Sequence, residues 1–174
     1  MSIDNVIRGR QNRASGQMFE KFIEEACELY KMCGIAAIEK TPEAMVPIRP
    51  YGNRNSGQFV AYYSKQAQPD FKGCIKGGKT IMFDAKHTIN DQIKQAAVSE
   101  KQKEMFDQYE KMGATCFVVV SLSLNDFYRV PWSIWKNMKE KFGHLYMSRK
   151  ELEPYRVPLR GMEILFLEGL EGEK

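Results

Sequence analysis

At 174 residues, 43% of them hydrophobic and 28% charged, the chain has the makeup of one globular domain long enough to bury a sizeable core. It has no run of about 18 apolar residues, which excludes a membrane-spanning helix. Its polar first residues lack the apolar stretch of a secretory signal, so a cytoplasmic location is expected. A formal net charge of +4 is mild, yet the basic residues cluster, and such clusters suit a phosphate-bearing partner.

In chain order, residues 1–13 carry Arg8, Arg10 and Arg13 and read as a flexible basic arm ahead of the single domain. Ser15 is a candidate cap for a helix running to about Cys33. Phe19, Phe22, Ile23, Ala26, Leu29 and Tyr30 form its apolar stripe, and Gly34 ends it. Glu20 lies beside that stripe, whereas Glu24, Glu25 and Glu28 read as a solvated face. A short strand over residues 35–38 follows. From Thr41 to Gly57 the chain holds Pro42, Pro47 and Pro50 and then Tyr51-Gly52-Asn53-Arg54-Asn55-Ser56-Gly57, a loop by composition. Strand character resumes over Phe59–Tyr63. With Arg49 and Arg54 near its tip, this excursion fits an ordinary loop and equally a substrate-contacting projection.

The centre of the sequence is Gln68-Pro69-Asp70 and the apolar run Ile81-Met82-Phe83 that ends in Asp84-Ala85-Lys86. Gly77-Gly78 between them predicts a hairpin, with Asp70 on one arm and Asp84 and Lys86 on the other. Side chains two apart on a strand share a face, so Asp84 and Lys86 point one way while Ala85 and His87 point the other. His87 therefore reads as structural, and His144 has no partner in the sequence. Lys72, Lys76 and Lys79 crowd the same hairpin, where they fit a solvated turn or contacts to a phosphate backbone.

Beyond it, residues 91–112 predict one long helix carrying Gln102, and Thr115–Ser121 the most apolar strand. Residues 127–130 suggest an adjoining strand, and a helix runs from Pro131 to Phe142 with Trp132 and Trp135 as core or dimer contacts. Residues 163–167 close the chain as an edge strand. This order predicts an α/β domain, a mixed central sheet flanked by helices. The four cysteines, Cys27, Cys33, Cys74 and Cys116, lack Cys-x-x-Cys spacing and read as buried free thiols.

Two carboxylates and a lysine at the end of an apolar strand fit a surface Asp–Lys pair worth about 0–1 kcal/mol. They also fit a divalent-metal site. Mg2+ takes hard oxygen ligands, so Asp70, Asp84 and a backbone carbonyl suit it, with Mn2+ as a substitute. Such an ion lowers the pKa of a bound water and steadies charge on phosphorus and the leaving oxygen. Lys86 would orient or deprotonate the attacking water, its own pKa depressed by cationic neighbours and burial. The buried run, the upstream Pro69-Asp70 and the following helix–strand unit favour the metal site.

The segment resembles the PD-(D/E)xK nuclease superfamily, and residues 15 to 155 are similar to RecU-type Holliday-junction resolvases. Glu39-Lys40-Thr41-Pro42, Ala61 to Gln66 before Pro69-Asp70-Phe71-Lys72-Gly73, Phe83 to Lys86, and Gln102 followed by Gly113 to Ser121 stand in that family's order. The resemblance implies a restriction-endonuclease-like fold and a Mg2+-dependent homodimer that cuts four-way DNA junctions by paired incision. By it, Asp70, Asp84, the Ala85 carbonyl and Glu20 would hold the metal, with Lys86 and Gln102 completing the catalytic set. A stalk at about 46–59 would enter the junction, and Arg13, Arg49, Arg54, Lys72, Lys76 and Lys79 would contact DNA. Asp84 stands where the family commonly has glutamate, which draws the metal closer to the strand. A non-catalytic recombination accessory protein on the same fold, or a related endonuclease with another DNA substrate, are the competing readings.

Overall fold

A computed structural model describes residues 3–42, 45–53, 57–63 and 68–170. Helix α1 spans Ile3–Met32, and strand β1 (Ala36–Lys40) follows it. A two-stranded ribbon comes next, β2 (Met45–Pro50) against β3 (Phe59–Tyr63). The hairpin of β4 (Phe71–Ile75) and β5 (Lys79–Thr88) leads to β6 (Gln92–Lys94) and α2 (Glu100–Lys111). Strands β7 (Thr115–Leu122) and β8 (Asp126–Pro131) precede α3 (Trp132–Lys136), α4 (Met138–Phe142), β9 (Tyr146–Ser148) and α5 (Arg149–Leu152). The short pair β10 (Leu159–Arg160) and β11 (Glu163–Ile164) ends the described chain. No described helix is long and apolar enough to cross a membrane.

The main sheet has the order β1-β4-β5-β7-β8 and is mixed, as expected. Its one parallel pair is β5 with β7; the others are antiparallel. All of β7 but Thr115 is buried, as a strand covered on both faces must be. On one face, Phe19, Ile23, Ala26, Cys27 and Tyr30 of α1 meet Phe71, Ile81, Phe83, Ala85, Phe117 and Val119, and Phe166 and Leu167 from the tail close this layer. On the other, Met82, Val118 and Val120 pack under Phe106, Trp132 and Trp135, so both tryptophans are core residues.

Register is locked beside the charges. Phe71, Phe83 and Phe117 lie opposite one another on β4, β5 and β7. Their rings stack at 4.9 Å for each neighbouring pair. A slip of one residue would turn Phe83 away from α1 and Asp84 into the α1 core, so the aromatic ladder fixes which face receives the carboxylate. Gly73 permits the neighbouring strand's approach: a Cβ there would lie 2.2 Å from the Ala37 carbonyl oxygen.

Several expectations need correction. Residues from Ile3 onward are helix rather than an irregular arm, because Ser15, Gly9 and Gly16 weaken a helix without ending it. The excursion after Thr41 is a ribbon despite Pro47 and Pro50, which a two-stranded ribbon tolerates because each strand is an edge; Arg54 at its tip lies outside the described residues. Residues 91–112 are not one helix: β6 and a 3-10 turn at Gln95–Ala97 precede α2, which starts at a capping box of Ser99 and Gln102. The tail strand pairs with β10, not with the main sheet. All four thiols are free, but only Cys27 and Cys116 are buried; Cys33 and Cys74 are exposed.

Candidate metal centre

Asp84 sits in mid-strand on the face that α2 covers, completely shielded from solvent. Its Oδ1 accepts from the Asp70 N–H at 2.8 Å and from Gln102 Nε2 at 3.1 Å. Its Oδ2 is buried and has no hydrogen-bond partner. Lys86 Nζ lies 2.9 Å from Oδ2 and pairs with it by charge. Asp70 is the last residue before β4: its carbonyl accepts from Thr41 N–H at 2.8 Å, and its Oδ2 accepts from Ala85 N–H at 3.1 Å. Lys86 Nζ reaches the same Asp70 oxygen at 3.5 Å. The hairpin thus brings Asp70, Asp84 and Lys86 together, with Gln102 arriving from α2.

The electrostatics follow from this geometry. Burial, then the Asp70 charge, pushes the Asp84 carboxyl up to about 6 against the pull of Lys86. For Lys86, burial opposes the charge, but the Asp84 and Asp70 carboxylates together outweigh it and raise the ammonium above its ordinary value. That overturns the expected depression. With two carboxylates beside it, Lys86 remains protonated and serves as a fixed positive charge.

The donor set fits a hard divalent cation. Asp84 Oδ2 is a buried oxygen whose near neighbour is the Lys86 ammonium at 2.9 Å, and a carboxylate oxygen has a further lone pair with which to meet a cation. Asp70 contributes a second carboxylate. On a strand the N–H and C=O of a residue project to the same edge, and the Ala85 N–H meets Asp70, so its carbonyl faces that side too. No three described His, Cys, Asp or Glu side chains gather as metal ligands. An ion here would complete its shell with the Ala85 carbonyl, waters and substrate oxygens, as Mg2+ commonly does.

Glu20 stands apart from this cluster. It belongs to α1, on the opposite face of the sheet, and Lys40 holds it at 2.8 Å while reaching Glu24 at 2.7 Å. Lys72 lies opposite Met82 and is exposed on the same face as Asp84, two residues from Asp70. Lys79 is opposite Ile75, on the other face. It sits five residues along β5 from Asp84, or roughly 17 Å, and Lys76 is in the turn beyond it. Arg13 on α1 and Arg49 on the ribbon are exposed and outside the cluster. His87 turns to the α1 face as expected, 3.1 Å from Ser121 Oγ. His144 does have partners, stacked on Tyr146 and 3.2 Å from Glu151. Sequence reasoning missed Ser99 and the Gln68 carbonyl, which accepts from Gln102 at 3.2 Å; the spacing Ser99-x-x-Gln102 was the available signal.

Residues 14–169 match the family model described as RecU: Recombination protein U. The chain belongs to the RecU family. Among relatives, the Holliday junction resolvase RecU of Geobacillus kaustophilus is 29% identical over 153 residues, covering 83% of this chain and 76% of that protein. Its Pediococcus pentosaceus counterpart is 32% identical over 108 residues, 60% of this chain. That match spans only 53% of the length of the Pediococcus protein. A solved Holliday junction resolvase, Hjc of Archaeoglobus fulgidus, superposes with a TM-score of 0.49 at 16% identity over 80% of this chain and 93% of its own. RecU membership covers both arms of the hairpin and α2, so Asp70, Asp84, Lys86 and Gln102 all fall within the matched region.

Proposed function

We propose that this RecU-family chain is a metal-dependent endonuclease that cuts four-way DNA junctions, acting in the cytoplasm as a homodimer that places two symmetric incisions. One observation carries the reading: the fully buried Asp84 stands beside Asp70 and a protonated Lys86. Burying the Asp84 carboxylate beside the charge of Asp70 opposes folding, and a bound divalent cation offsets that cost. The names of the relatives supply the substrate, a Holliday junction.

Asp70, Asp84 Oδ2 and the Ala85 carbonyl would hold Mg2+, or Mn2+ in its place. When bound, the ion supplies a water of lowered pKa and stabilises charge developing on the phosphoryl oxygens. Lys86 adds a fixed cation beside the two carboxylates, where it orients a nucleophilic water through its N–H groups and offsets phosphate charge. Gln102 donates to Asp84 and keeps that carboxylate from rotating. Glu20, engaged by Lys40 on the far side, is assigned an outer role, acting through water or substrate. Lys72 is placed to meet the phosphate backbone next to the cut; Lys76, Lys79, Arg13, Arg49 and Arg54 would act at longer range, and the ribbon would enter the junction. Two cuts related by a two-fold axis call for two copies of the site.

The test is a gel assay of a synthetic four-way junction against linear duplex, with and without Mg2+ or Mn2+. Symmetric nicking of the junction that requires the metal is expected. Equal cutting of duplex would remove the junction preference, and junction binding without incision would reduce the protein to an accessory factor.

A further inference from the structure

Gln102 is 6% exposed, and both ends of its amide are engaged. The Ser99 N–H and the Ser99 hydroxyl both donate to Oε1, at 3.0 and 3.1 Å. Nε2 donates to the Gln68 carbonyl at 3.2 Å and to Asp84 Oδ1 at 3.1 Å. The two ends of an amide have the same shape, and their partners decide which is which. A backbone N–H can only donate, and a carbonyl or ionised carboxylate can only accept. Turning the amide over would set oxygen against the Gln68 carbonyl and the Asp84 carboxylate, and NH2 against the Ser99 N–H. The Ser99 N–H and hydroxyl, together with the Gln68 carbonyl, thereby hold Gln102 with its donor toward Asp84.

That choice has a consequence at the metal centre. With Asp70 N–H and Gln102 Nε2 both on Oδ1, the Asp84 carboxylate is fixed with Oδ2 outward toward Lys86. The same amide ties the segment before Asp70 to β5 through the Gln68 carbonyl. We propose that Ser99 is a positioning residue of the cutting site, acting through Gln102 to aim Asp84 Oδ2 and to hold the Asp70 lead-in against it. The inference rests on the nuclease reading above for its link to cutting, and on geometry alone for its link to metal binding.

A plain helix cap is the bland role for Ser99, whose Oγ also accepts the Gln102 N–H at 3.4 Å. The two roles use different halves of the hydroxyl: a cap needs the oxygen, positioning needs the O–H. Ser99→Thr keeps both. Ser99→Asp keeps an N-cap acceptor but, being acceptor-only, loses the O–H donor and sets a charge against Oε1, which pushes the amide out of its place. Ser99→Gly starts a helix nearly as well and has no hydroxyl at all.

The experiment compares these variants of the full chain by thermal unfolding without metal, Mn2+ titration calorimetry and single-turnover cutting of a four-way junction. Ser99→Thr is expected to match the wild type. Ser99→Asp is expected to melt close to the wild type yet bind Mn2+ and cut at least about tenfold less well, the scale seen when partners behind a metal ligand are removed. Ser99→Gly should lose Mn2+ affinity in the same direction, by less, and it decides the matter if Ser99→Asp does not fold. Wild-type Mn2+ affinity in the folded Asp and Gly variants would overturn the proposal and leave Ser99 a cap. If the wild type binds Mn2+ without cutting DNA, the nuclease reading fails, while the Mn2+ series still tests Ser99.

Discussion

Lys86 Nζ and Asp84 Oδ2 lie 2.9 Å apart, the ammonium 19% exposed and the carboxylate not at all. Even so, the contact does not cancel the burial of Asp84, whose carboxyl is pushed up to about 6 by burial first and by Asp70 second. A carboxyl raised in the folded state opposes folding when it ionises. Its contribution to stability is whole below about pH 4 and is lost as pH rises through about 6. The ionisation costs on the order of 3 kcal/mol at neutral pH. In the metal-free protein, the melting temperature of the wild type should therefore drop relative to Asp84→Asn between pH 4 and pH 7, by several degrees. Mg2+ should recover the loss in the wild type only. Scanning calorimetry of both proteins across this range, with and without Mg2+, checks it; parallel curves would sink the account.

A second expectation concerns Lys86 itself. Because the two carboxylates keep it protonated, Lys86→Gln removes a charge rather than a base. Cutting should fall by about 10²–10³, the range for loss of one preorganised electrostatic donor. Raising the pH within the range where the wild type works should not restore it. Junction affinity without metal should hold within about threefold, since one buried ammonium is a small part of a backbone-dominated interface. Rates and gel-shift midpoints at two pH values decide it, and a pH-rescued variant would contradict a fixed-charge role.

Much of this centre was legible in the sequence because strand periodicity is short-range. Ile81-Met82-Phe83 named the strand, Gly77-Gly78 the turn, and alternation put Asp84 and Lys86 on one face. What depended on two elements meeting was not legible. Whether α1 brought Glu20 to the hairpin depended on which sheet face α1 covers, and the Phe71–Phe83–Phe117 ladder assigns it the face away from Asp84. The pKa direction of Lys86 likewise depended on distances to two carboxylates that no spacing encodes. The ribbon was hidden because prolines read as loop while β2 and β3 are edges on which proline is harmless.

Glu20 gives the third expectation. Its ion pair with Lys40 joins groups that are 38% and 44% exposed, so it contributes little to stability. With no place in the Asp70–Asp84 cluster, Glu20→Gln should bind Mn2+ within about threefold of the wild type and cut less than tenfold more slowly. Asp70→Asn and Asp84→Asn should each lose binding and cutting by at least about a hundredfold, as removal of a direct ligand does. Calorimetric Mn2+ titration of the three variants separates them. A Glu20→Gln loss as deep as that of Asp84→Asn would make Glu20 a direct ligand.

The ribbon supplies the last. Every residue of β2 is exposed, and Met45, Ile48, Tyr51, Phe59 and Tyr62 present large apolar surface to solvent. An element that buries nothing gives the domain no core, and an exposed apolar surface of this extent marks a contact made with something else. Among the described residues its two strands pair with each other and not with the main sheet. Replacing residues 48–60 with a two-residue Asn-Gly turn joins Pro47 to Ala61, which already face each other. The shortened protein should melt within a few degrees of the wild type and bind Mn2+ unchanged, since Asp70, Asp84 and Lys86 are supported by the main sheet. Its affinity for a four-way junction should fall at least tenfold, with a much smaller loss for linear duplex. Gel shifts on both DNAs, alongside melting and Mn2+ titration, read the three properties separately. Unchanged junction preference would assign junction choice to the body of the domain, and loss of the fold would mean that the ribbon supports the core after all.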